Sequence, residues 1–148
     1  HIVGATALSN AYLANGARVA VYSFGSNDHL TNPIKDRKAV HGELRRYSTS
    51  GGTTFNPKFL ENVLRQYHGE FDISVISDMD ISNIDSFVKA VLNIPKTHRI
   101  HLLYTGNNGH VGHLRQTFGN KENVAILPLI SGSDIEKIIM GELKKSVR

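Results

Sequence analysis

An α/β fold, a Rossmann-like three-layer sandwich with a mostly parallel sheet and helices on both faces, is what this 148-residue sequence predicts. Three observations predict it. Short apolar runs of strand length alternate with segments whose apolar residues recur at helical spacing, along the whole chain. Capping and turn residues mark most of the junctions. No linker and no internal repeat interrupts the series, so one domain over 1–148 is expected.

In chain order, His1–Asn15 reads as a helix with Leu8, Ala11 and Tyr12 on one face, and Gly16 as its stop. Arg18–Phe24 (RVAVYSF) reads as a buried strand. A loop over Gly25–Pro33 has room for a short edge strand near His29–Thr31. Asp36–Tyr47 follows as a helix through Val40, Leu44 and Tyr47, and Ser48–Phe55 (STSGGTTF) as a turn-rich loop. Asn56-Pro57 opens the next helix with a capping residue and a proline in its first turn, and Leu60, Val63, Leu64 and Tyr67 form its apolar face. Phe71–Ser77 (FDISVIS) is a strand. Ser82 with Asp85 reads as a capping pair for a helix that turns Ile84, Phe87, Val88, Val91 and Leu92 inward and ends at Pro95. Arg99–Thr105 (RIHLLYT) is a strand, flanked by His98 at the rim and carrying His101 on a sheet face. After the tight loop Gly106–Gly109 comes a short helix, His110–Phe118, through Val111 and Leu114. Asn123–Leu129 is the last strand, and Ser133 with Glu136 caps a final helix through Ile135, Ile138, Ile139 and Leu143.

Composition narrows the function classes. The chain has no cysteine, which excludes a disulfide scaffold, a thiolate metal site and a thiol nucleophile, and fits a cytoplasmic location. No run approaches the roughly 20 apolar residues of a membrane span. The opening residues read as an amphipathic helix and not as a signal peptide. The net charge of +4 is scattered, apart from Arg45-Arg46 and the Lys144-Lys145…Arg148 tail, whereas a nucleic-acid binder gathers it on one face.

In a parallel sheet, ligands bind beyond the carboxyl ends of the strands. That places the loops after Phe24, Ser77 and Thr105 at the functional edge, and Ser48–Phe55 joins them if it folds over the same edge. Ser77-Asp78-Met79-Asp80 sets two carboxylates, at i and i+2, directly after an apolar strand, where both can face one hard cation such as Mg²⁺. The plainer alternative is that Asp78 and Asp80 satisfy backbone donors ahead of the next helix. Gly51-Gly52-Thr53-Thr54 lets backbone approach a ligand closely and adds the Thr53 hydroxyl as a neutral oxygen donor. His110 and His113, at i and i+3, form an imidazole pair without a third ligand nearby. Ser26, Thr54, Asn107 and His110 make up the expected partner-binding rim of these loops.

The series RVAVYSF, then GGTTFNP opening a helix, then FDISVISDMD resembles the von Willebrand factor A (VWA) domain, and the resemblance follows element order along the whole chain. In that family a metal-ion-dependent adhesion site combines an Asp-x-Ser-x-Ser motif after the first strand, a Thr in a glycine-containing loop and an Asp ending the fourth strand. By resemblance Thr53 matches the threonine and Asp78 the aspartate, and Asp80 stands beside them. No Asp-x-Ser-x-Ser occurs in the sequence. The family carries it upstream of the helix that His1–Gly16 matches, on a strand central in the sheet. The chain is therefore expected to be an N-terminally incomplete VWA-like domain, or to have that strand's place filled by another segment, since an empty place exposes strand edges. The resemblance implies a non-catalytic module that holds Mg²⁺, Mn²⁺ or Ca²⁺. Its partners would be proteins presenting Asp or Glu, an AAA-type ATPase among them.

Two other functions compete. Asp78-x-Asp80 after a strand also resembles the first motif of haloacid-dehalogenase-type phosphatases, in which Asp78 would be the nucleophile and Asp80 a general acid with Mg²⁺ between them, and Thr105 would match the Ser or Thr that ends a later strand. Lys121 and Asp134 are poor matches to that family's remaining residues, its motif belongs on the first strand, and it leaves the Gly-Gly-Thr loop unexplained. The third function is a metal-free interaction scaffold.

Overall fold

The strands that alternate with helices in the second half of the chain pair in parallel. In the computed structural model, which describes residues 2–23, 29–46, 54–77, 79–104 and 109–128, strands β3 (Asp72–Ser77), β4 (Arg99–Tyr104) and β5 (Val124–Pro128) form one sheet in the order β3-β4-β5. β3 runs in register with β4 from Asp72↔Arg99 to Ser77↔Tyr104, and β4 with β5 from Ile100↔Val124 to Tyr104↔Pro128. Helix α3 (Pro57–Gln66) precedes β3, α4 (Ile84–Leu92) joins β3 to β4, and α5 (Gly109–Phe118) joins β4 to β5. This is the α/β class that the sequence predicts. The chain divides into two compact units, one built on His1–Ser23 and Asn27–Ser50 and the other on Gly51–Pro128.

In the second unit β4 is central and its run Ile100, His101, Leu102 and Leu103 is buried, as expected for a strand covered on both faces. β3 and β5 are half-buried along most of their length, and among the described residues each pairs with β4 alone. Phe87 and Val91 of α4, with Leu114 and Phe118 of α5, complete the core. The amino ends of the strands are tied by side chains. Arg99 Nε lies 2.7 Å from Asp72 Oδ1. Asn123 Nδ2 donates to His98 O at 2.9 Å. His98 is buried, not at the rim, because its Nδ1 accepts the Phe71 N–H at 3.0 Å, which places the ring proton on Nε2. Lys121 Nζ donates to Leu92 O at 2.8 Å and to Val91 O at 3.3 Å, closing the C-terminal end of α4. Burial first, and the neighbouring Lys96 second, lower the Lys121 pKa from the ordinary lysine value.

Capping follows the sequence in α3, where Asn56 Oδ1 accepts the Lys58 N–H at 3.1 Å and Pro57 is the first residue of the helix. Leu60, Val63, Leu64 and Tyr67 are half-buried, and no described residue of α3 is fully buried. In α4 the N-cap is Asn83 and not Ser82. Leu92, expected inward, is 45% exposed, whereas Phe87 is 0% exposed.

In the first unit α1 (Ile2–Ala14) and α2 (Arg37–Arg46) pack together, with Asn10 Oδ1 2.7 Å from His41 Nε2. Asp36 caps α2 through the Ala39 N–H at 3.0 Å. Here the expected buried strand Arg18–Phe24 is corrected. Among its described residues it contributes only β1 (Tyr22–Ser23), antiparallel to β2 (His29–Leu30), with a further bridge Val19↔Ile34. Arg18 and Ala20 are exposed while Val21 is buried, which is the alternation of a ribbon with one covered face. The Thr31 hydroxyl also takes the Val21 N–H at 2.9 Å, in place of a ladder bond. The short edge strand expected near His29–Thr31 is β2. Residues 129–148, with the expected final helix through Ile135, Ile138, Ile139 and Leu143, lie outside the described residues. Among the described residues no helix is long and apolar enough to cross a membrane.

Candidate functional site

The parallel register sets Ser77, Tyr104 and Pro128 side by side, so β3, β4 and β5 end at one edge. Past that edge the chain leaves β3 through Ser77, whose Oγ accepts the Met79 N–H at 3.0 Å. Met79 has φ +64°, a left-handed backbone that bulky residues avoid, and its side chain is 0% exposed. Ile81 is buried as well, whereas Asp80 and Ser82 are exposed. The segment thus alternates: two apolar side chains hold it in the core, and the two polar ones between and after them face water.

A second segment is tied to this one. Asn83 uses both ends of its carboxamide on a single residue: Oδ1 accepts the Phe55 N–H at 2.9 Å and Nδ2 donates to Phe55 O at 2.6 Å. Thr54 Oγ1 lies 2.9 Å from Ser82 Oγ. The buried Phe55 ring meets Phe87 of α4 edge-on at 5.1 Å. This explains why the predicted Ser82–Asp85 capping pair is not the one formed. Asn83 occupies the N-cap position, but its side chain makes no cap hydrogen bond. An Asn cap contributes about 1 kcal/mol, and two hydrogen bonds at about 1 kcal/mol each outweigh it.

The third contribution comes from α5. His110 Nε2 lies 3.9 Å from Asp80 Oδ1, with the two side chains 38% and 76% exposed. At that distance and exposure the pair contributes at most about 0.5 kcal/mol, and only with the imidazole protonated. Beside it, Arg115 Nη2 donates to the Tyr104 hydroxyl at 2.5 Å, with the guanidinium 5.5 Å from the ring centre. A groove of about 290 Å³ is lined by the same Arg115 with Phe118, Gly119, Val124 and Ile126, and includes none of the expected site residues.

Of the residues expected at the site, Thr53, Asp78, Ser26 and Asn107 lie outside the described residues. The structure brings Asp80 to His110, and Thr54 to Ser82 beside Asp80. His113 is exposed, and among the described residues no group of three His, Cys, Asp or Glu is placed to hold a metal ion. The carboxylate and hydroxyl oxygens of this edge fit a hard cation in kind. In number they fall short of an octahedral shell among the described residues. Asn83 and Ser82 were not legible as site residues, because an Asn before a helix signals a cap and nothing in the sequence aims its amide across to Phe55.

No family model matches the sequence, and no curated protein does. Among solved structures, a von Willebrand factor type A protein from Catenulispora acidiphila matches with a TM-score of 0.60 and 11% identity. The match covers 95% of this chain and 37% of that one. At this identity the likeness is one of fold: the chain folds like a von Willebrand factor type A domain.

Proposed function

We propose that the chain acts as a non-catalytic protein-binding module, in which a divalent cation at the carboxyl edge of the sheet captures a carboxylate from a partner protein. The observation that carries it is the tie between the two loops: Asn83 clasps Phe55, and Thr54 meets Ser82, so the segment next to Thr53 is held to the segment that follows Asp78. Thr53 and Asp78 would hold Mg²⁺ or Mn²⁺ through oxygen, with Asp80 beside them and the Asp or Glu of a protein ligand completing the shell. Ser26, Thr54, Asn107 and His110 would meet the partner around it, and an AAA-type ATPase is one partner class that the VWA resemblance implies. Against the phosphatase alternative, Lys121 caps α4 and sits ahead of β5, at the amino edge of the sheet.

Titration with Mn²⁺ alone, followed by binding of Asp- and Glu-bearing peptides with and without chelator, tests this. Cation-dependent capture lost in Thr53→Ala and Asp78→Ala is the expected outcome. Capture indifferent to chelator identifies a metal-free scaffold instead. Mg²⁺-dependent hydrolysis of p-nitrophenyl phosphate, abolished in Asp78→Asn, identifies a phosphatase.

A further inference from the structure

We infer that Asn83 is the positioning residue of this site, a role that rests on the cation-binding function proposed above. Its carboxamide satisfies both backbone groups of Phe55, at 2.9 and 2.6 Å, as a neighbouring strand would. Asn83 is itself fixed, because its backbone carbonyl accepts the Phe87 N–H at 3.1 Å and so belongs to the first turn of α4. That helix is anchored by Phe87 and Val91, 0% and 2% exposed. The acidic segment is anchored separately through Met79 and Ile81, 0% and 1% exposed.

Thr54–Phe55 therefore depends on Asn83 for its backbone placement relative to Asp80. Magnesium accepts oxygen ligands only near 2.0–2.1 Å and in near-ideal octahedral directions. A displacement of about 1 Å in the threonine loop is enough to break such a site. Asn83 touches neither the cation nor the partner; it sets the separation of the two loops that do.

The test compares wild type with Asn83→Ala, Asn83→Asp and Phe118→Leu. Phe118 is buried in α5, away from the clasp, and serves as a lesion of the fold alone. Amide hydrogen exchange at Phe55 and affinity for Mn²⁺ alone are measured for each. In Asn83→Ala the Phe55 amide is expected to exchange at least tenfold faster and Mn²⁺ to bind at least tenfold more weakly. Asn83→Asp keeps an acceptor for the Phe55 N–H but turns an oxygen toward Phe55 O. Its exchange and its Mn²⁺ affinity both fall between those of wild type and Asn83→Ala, and it carries the test if the alanine variant does not fold. Phe118→Leu lowers stability and leaves Mn²⁺ affinity unchanged. Unaltered Phe55 exchange in the Asn83 variants overturns the clasp, and an equal loss of affinity in Phe118→Leu overturns the positioning role. A wild-type chain that binds no Mn²⁺ overturns the cation-binding function, while Phe55 exchange still decides the clasp.

Discussion

Replacing Met79 by alanine and by glycine separates what its side chain does from what its backbone does. The side chain is 0% exposed, so Met79→Ala is expected to cost about 3 kcal/mol, within the range for truncating a buried methionine. In a chain of this size that lowers the Tm by about 10 °C. At an ordinary backbone, Met79→Gly would be weaker still, by about 0.5–1 kcal/mol of chain entropy and about 0.8 kcal/mol for the methyl group. Met79, however, has φ +64°. Glycine relieves about 1–2 kcal/mol of left-handed strain that alanine retains. The terms nearly cancel, so the glycine and alanine variants should unfold within about 1 kcal/mol of each other. Urea denaturation with a common m-value measures the gap. A glycine variant weaker than the alanine variant by about 1.5 kcal/mol or more refutes the left-handed turn.

Within α4, Phe87→Ala should cost about 4 kcal/mol, because the ring is fully buried and braces Phe55. Leu92→Ala, at a position 45% exposed, should cost less than about 1 kcal/mol, and equal losses in urea titration would contradict the burial of that helix. Lys121→Met removes the bonds to Val91 O and Leu92 O and should cost about 1 kcal/mol near neutral pH. Because the folded-state pKa of Lys121 is lowered, the unfolded chain binds more protons between the folded and the ordinary lysine values. Its titration therefore makes stability rise with pH across that alkaline window and lose that contribution as pH falls through the folded pKa. The slope should be shallow and weaken in salt. Lys121→Met should flatten it, and a steeper rise in the variant would reverse the sign.

Much of the second unit could be read from the sequence, because long-range packing there agrees with local signals. Apolar runs became β3, β4 and β5, and Asn56-Pro57 opened α3 as its chemistry dictates. The first unit resisted, because RVAVYSF has the composition of a buried strand while Thr31 and Ile34 draw it into an antiparallel ribbon. No local pattern encodes that choice of partner. At this edge, the rule for strand ends put Asp80 and His110 in loops that follow parallel strands, but their approach to each other was not legible, because the sequence paired Asp80 with Asp78 and His110 with His113. Nor was the clasp, because Asn83 and Phe55 are 28 residues apart and the same amide could have capped its own helix.

The alternation of Met79 and Ile81 with Asp80 and Ser82 divides labour between neighbouring positions. Exchanges at the outward pair, away from the packed interior, typically alter stability by no more than about 0.5 kcal/mol, whereas the inward pair tolerates few. The chemistry this edge shows to water is therefore free to diverge between descendants of the sequence while the scaffold that presents it stays put.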